Sequence, residues 1–111
     1  MVERSLFVAV VVYQSTSDAP DYRSLYQEDF VLIHSESEEM ARQRALEIAK
    51  EQECVYRNEK GENITVAFKC LVDVSPAIDD ELSNDAVLYT RHFRDYESYR
   101  RMEPLLDDNP L

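Results

Sequence analysis

The chain has 111 residues, enough for one domain and too few for two. An apolar fraction of 44% argues against disorder. With 23 acidic and 12 basic side chains the formal charge is -11, a field that repels nucleic acid and anionic membrane surfaces and suits a basic protein partner or plain solubility.

The first strand is expected over residues 5–13. Leu6-Phe7-Val8-Ala9-Val10-Val11-Val12 is apolar at every position, where a strand with one wet face would alternate. Both faces should therefore be covered, and the strand should be central. The run is too short to span a bilayer and lacks the basic leader of a signal peptide, which points to a cytoplasmic protein. A polar loop over 14–24 leads to a second strand over 25–34, centred on Phe30-Val31-Leu32-Ile33.

The clearest helix signal follows. Ser35 and Ser37 are both N-cap candidates, and Ser35 with Glu38 has capping-box spacing. Glu36, Glu38 and Glu39 suit the positive end of the helix dipole. Ala41, Ala45, Ile48 and Ala49 share one face, small enough for close approach to a sheet. The helix should end between Gln52 and Tyr56, with Asn58 and Gly61, the only glycine, closing the next turn.

A third strand is expected over 63–74. Ile64, Val66, Phe68, Cys70, Val72 and Val74 would point one way under strict alternation, and Pro76 should stop it. The acidic stretch 77–85 reads as a solvated hairpin loop; it lacks the ligand spacing and glycine of a calcium loop. A fourth strand is expected over 86–94. Val87, Tyr89, Arg91 and Phe93 would lie on one face, and Leu88, Thr90, His92 and Arg94 on the other. A short helix over 95–103 follows, and the tail 104–111 should fray.

The expected fold is α+β: a four-stranded, mainly antiparallel sheet in the order β-β-α-β-β plus a short C-terminal helix, with the long helix packed on one face. A single domain of residues 1–111 is implied. One helix covers one sheet face, so the second face needs either the C-terminal segment or a second copy of the chain.

Little in the chain signals chemistry. Cys54 and Cys70 match no metal spacing and read as reduced, partly buried packing residues. One glycine leaves no Gly-rich phosphate loop, and no serine or cysteine stands with a histidine in a pattern that suggests a catalytic dyad, so no catalytic residue, metal site or cofactor is assigned. The distinctive patch is basic. Residues 86–101 carry a balance of +2 against -13 for the rest of the chain. Arg91, His92 and Arg94, with Tyr89 and His34, form a candidate ligand site, because guanidinium forks carboxylates and phosphates. The alternative is that these arginines pair with the domain's own carboxylates, Glu28 or Asp29 for a buried Arg91. Histidines 34 and 92 would be neighbours if the second and fourth strands pair. Seven tyrosines could serve an interface.

The pattern resembles a family of short bacterial proteins of unassigned function. The features are the opening apolar strand, Leu25-Tyr26-Gln27-Glu28 leading into Phe30-Val31-Leu32, Ser35-Glu36-Ser37-Glu38-Glu39 opening an alanine-rich helix, Leu71-Val72-Asp73-Val74, and Leu88-Tyr89-Thr90-Arg91-His92-Phe93. The resemblance implies an α+β domain and transfers no activity. The leading functional expectation is a non-enzymatic interaction domain that binds a protein partner or itself, in one version an antidote against a basic toxin. The rival is a small-molecule or anion-binding domain, enzymatic in one version.

Overall fold

The computed structural model describes residues 4–79 and 81–106. It is an α+β fold with four strands and two helices, in the order β1 (Ser5–Ser17), β2 (Leu25–Ser35), α1 (Glu38–Gln52), β3 (Cys54–Arg57), β4 (Asn63–Pro76) and α2 (Tyr96–Met102). The strands form one antiparallel sheet ordered β2-β1-β4-β3. The valine-rich β1 is central, as its unbroken apolar run requires, and β2 and β3 are the edges.

The first face of the sheet carries the core. Phe7, Ala9, Val11 and Tyr13 of β1, Ile33 of β2 and Val74 of β4 cluster with Ala41, Ala45 and Ala49 of α1. The three alanines let the helix backbone approach the sheet closely. Ser37 is the N-cap: its Oγ accepts from the Met40 amide at 3.1 Å. Ser35, buried, contributes one step earlier, its hydroxyl donating to the Ser37 carbonyl at 2.9 Å.

Strict alternation fails in β4. The β1–β4 register shifts between Val10 and Val11 and again between Val12 and Tyr13. Partners of the core-facing Tyr13, Val11 and Ala9 are Phe68, Leu71 and Val74, three residues apart instead of two. Each shift is a bulge that adds one residue to β4. Cys70 and Asp73 therefore pair with Val12 and Val10 on the second face.

Three further expectations need correction. Residues 86–94 are not a strand; only Val87 and Leu88 meet another segment in strand-like fashion, accepting from the Asp79 and Ile78 amides at 2.8 and 3.2 Å. The Asp79 carboxylate accepts from the Val87 amide at 2.8 Å, so a side chain takes the place of a strand partner. The fourth strand is instead Cys54–Arg57, in a stretch expected to end the helix. It pairs with β4 across a turn in which Asn58 Oδ1 accepts from the Lys60 and Glu62 amides and Gly61 takes a φ of 79°. Cys54 and Cys70 are free and exposed, not packed, because they sit on an edge strand and opposite a bulge. The expected fraying of the tail concerns residues 107–111, outside the described residues, and 104–106, which form a turn.

Candidate functional site

The second face of the sheet positions the candidate residues. Val8 and Val10 of β1 are buried there, beside Leu32 and Phe30 of β2. After β4 the chain turns back, with the Ala77 amide donating to the Leu6 carbonyl at 2.9 Å. Tyr89 then lies on this face. Its ring is 5.7 Å from Phe30 and its hydroxyl donates to Asp73 Oδ2 at 2.9 Å. Burial, followed by that bond to a carboxylate, raises the Tyr89 phenol above its ordinary value. Tyr89 is thus an anchor for the returning segment.

Arg91, His92 and Arg94 are brought together in an open cleft of about 670 Å³. Its apolar wall is Phe93 stacked on Tyr99, centroids 4.6 Å apart and planes 15° from parallel, with Met102 beyond. Asp95 shares the cleft as the α2 N-cap, accepting from the Ser98 amide and hydroxyl at 3.1 and 2.6 Å. Those bonds hold its carboxyl below the usual carboxylate range. Arg91 and Arg94 are exposed, and neither forms an ion pair among the described residues; the pairs are Arg44 with Glu47 and Glu51, and Arg100 with Glu97. The partner expected for a buried Arg91 is not required, because Arg91 is not buried.

Two expected members lie elsewhere. His34 lines a separate cleft of about 380 Å³ with Arg4, Glu36 and Arg44. His34 and His92 line different clefts, since residues 86–94 do not pair with β2 as a strand. Tyr89 anchors the second face and does not line the arginine cleft. Among the described residues no group of three histidine, cysteine or acidic side chains could hold a metal, and no helix is long and apolar enough to cross a membrane.

One concave region escaped sequence reasoning. The loop after β1 and the β3–β4 hairpin enclose a cleft of about 760 Å³, with Tyr22, Arg23, Tyr56, Arg57 and Lys60 in its wall. Asp18 ties the two together, accepting from the Asn63 amide and side-chain nitrogen at 3.1 and 3.0 Å. These residues stand more than 30 positions apart in the chain, and only the missed strand β3 brings them together.

Comparison with known proteins gives one result. A family model described as a domain of unknown function, DUF4288, matches residues 6–90. Neither the curated proteins nor the solved structures provide a match. The matched span takes in the sheet, α1 and the Tyr89 anchor, and stops just before the arginine cleft and α2. By a match over most of its length, this chain belongs to the DUF4288 family.

Proposed function

We propose that this chain is a non-enzymatic protein-interaction domain. The observation that carries the reading is surface. The chain exposes 8851 Å², against about 6,300 Å² for a compact monomer of its mass. Its radius of gyration is 17.4 Å, against about 13 Å for a compact domain of this length. The excess includes large apolar side chains: on β2, Tyr26 and Phe30 are 56% and 63% exposed. Apolar surface of this kind marks interaction sites. The charge of -11 favours a basic partner, and an antidote that covers a cationic site is one form of it. Exposed, unpaired Cys54 and Cys70 suit a reducing compartment such as the cytosol. The test is affinity capture from native lysate at low and high salt. A basic protein retained at low salt and released at high salt is the expected result; a salt-insensitive acidic partner would sink the electrostatic version.

A second reading, small-molecule or anion binding, is favoured by the cleft that holds Arg91, His92 and Arg94 beside an apolar wall. Changing Arg91 to Ala should then weaken phosphate or carboxylate binding while the far-ultraviolet dichroism stays unchanged. Unaltered affinity would remove the site assignment.

A further inference from the structure

An open sheet has two edges, and each leaves a row of backbone N–H and C=O groups without a strand partner. Here the edges are β3 and β2. Natural sheets blunt an edge by keeping its strand short, by lysine or proline, by a bulge, or by a covering segment. β3 is blunted by length, since it has four residues. β2 has none of these devices. It runs for eleven residues, Leu25–Ser35, without lysine or proline. All eleven pair with β1 in consecutive register, with no shift. No other segment hydrogen-bonds to its outer backbone among the described residues. The returning segment touches β2 only from the second face of the sheet, where Tyr89 meets Phe30, and Phe30 is still 63% exposed.

The charges of β2 select a partner strand and its register. Glu28 and Asp29 are its carboxylates, and it has no lysine or arginine. Two copies of one strand related by a two-fold axis pair antiparallel. An axis through Phe30 pairs all eleven residues, with Leu25 opposite Ser35 at the ends. Glu28 then faces the partner's Leu32, and Asp29 faces the partner's Val31, so no like charges stand opposite. An axis through Glu28 or Asp29 would set the carboxylates against each other and shorten the ladder as well. Phe30 meets its own copy at the axis, side by side along the second face, and keeps its contact with Tyr89. The area is adequate too. The chain exposes about 2,500 Å² more than a compact monomer would, whereas a stable interface needs only about 800 Å² from each partner.

We propose that β2 pairs with β2 of a second copy, antiparallel about a two-fold axis at Phe30, and joins two four-stranded sheets into one of eight strands. The inference rests on the interaction-domain reading and names its partner as the chain itself. The pairing is closed: each copy uses its one long edge, and the edges that remain are the short β3 strands.

The test uses the full chain and light scattering coupled to size exclusion at micromolar concentration. The expected mass is twice the 13.0 kDa of the chain. Added salt should tighten the association, because it screens the charge of -11 on each copy. The register is tested with two double variants, Glu28→Lys with Leu32→Glu, and Glu28→Lys with Leu32→Lys. Glu28 and Leu32 are exposed, and their neighbours on β1 are the uncharged Val12 and Val8, so within the chain neither cross-strand neighbour responds to the sign of the charge. Across the axis the first variant sets lysine opposite glutamate twice, and the second sets lysine opposite lysine twice. The second carries the smaller net charge, yet it should need about tenfold or more higher concentration to form the dimer than the first. Far-ultraviolet dichroism should be the same for both. Variants that dimerise equally overturn the proposal, as does a dimer that salt dissociates. An unaltered chain that is monomeric throughout overturns it as well. In that last case capture of a different protein would leave the interaction-domain reading standing, and capture of none would remove both.

Discussion

Tyr13 shows how one side chain can sit in the core at odds with its own chemistry. It is 2% exposed, and its hydroxyl has no hydrogen-bond partner among the described residues. Burial, with Asp29 and then Glu53 adding negative potential, raises its phenol above the ordinary value of about 10. The folded state therefore favours the neutral form. That stabilisation is complete below about pH 10 and is lost as pH rises through the raised value. Tyr13→Phe removes both the unsatisfied hydroxyl and the titration. Its urea midpoint should equal or exceed that of the unaltered protein at neutral pH, and its stability should fall less steeply in alkali. A lower midpoint at neutral pH would show that the hydroxyl has found a partner. Asp18 gives the opposite sign. The bond from the Asn63 amide is the main cause holding its carboxyl below the usual value of about 3.9. Its contribution is present above that pH and vanishes as pH falls through the lowered value. Asp18→Asn should therefore be less stable than the unaltered chain at neutral pH, with the two curves converging in acid.

At the scale of elements, α1 depends on the size of its alanines. Ala41, Ala45 and Ala49 are essentially without exposure between helix and sheet. Ala45→Leu adds volume where none is free and should cost about 1–3 kcal/mol in urea unfolding. The same alanines made α1 legible in the sequence, together with the Ser37 cap and the acidic first turn. β1 was legible through its unbroken apolar run, and β2 through its β-rich centre. Other features left no usable signal. The alternation over 86–94 imitates a strand, yet a strand needs a neighbour, and here only Ile78 and Asp79 are offered. β3 is four residues long, so the helix pattern before it absorbed it, although Asn58 and Gly61 between two β-rich runs marked a hairpin. The bulges in β4 moved Cys70 and Asp73 to the second face, and register of that kind follows from pairing with β1, which sequence alone does not display. Of the candidate site, the neighbours Arg91, His92 and Arg94 came together as local sequence implies. Tyr89 and His34 would have joined them only through a strand over 86–94 paired with β2; that strand does not form, and both lie elsewhere.

For the whole molecule, the central issue is how a chain with so little covering material keeps both faces of β1 dry. The first face has α1. The second has the returning residues 77–79 and 81–90, held by the bond from the Ala77 amide to the Leu6 carbonyl, the Phe30–Tyr89 ring contact and the Tyr89–Asp73 bond, with no strand of their own. In hydrogen exchange followed by mass spectrometry, amides of β1 and its β4 partner should therefore exchange with solvent most slowly and those of 77–79 and 81–90 should open earlier; equal protection in the two would show that the returning segment is held as firmly as the sheet.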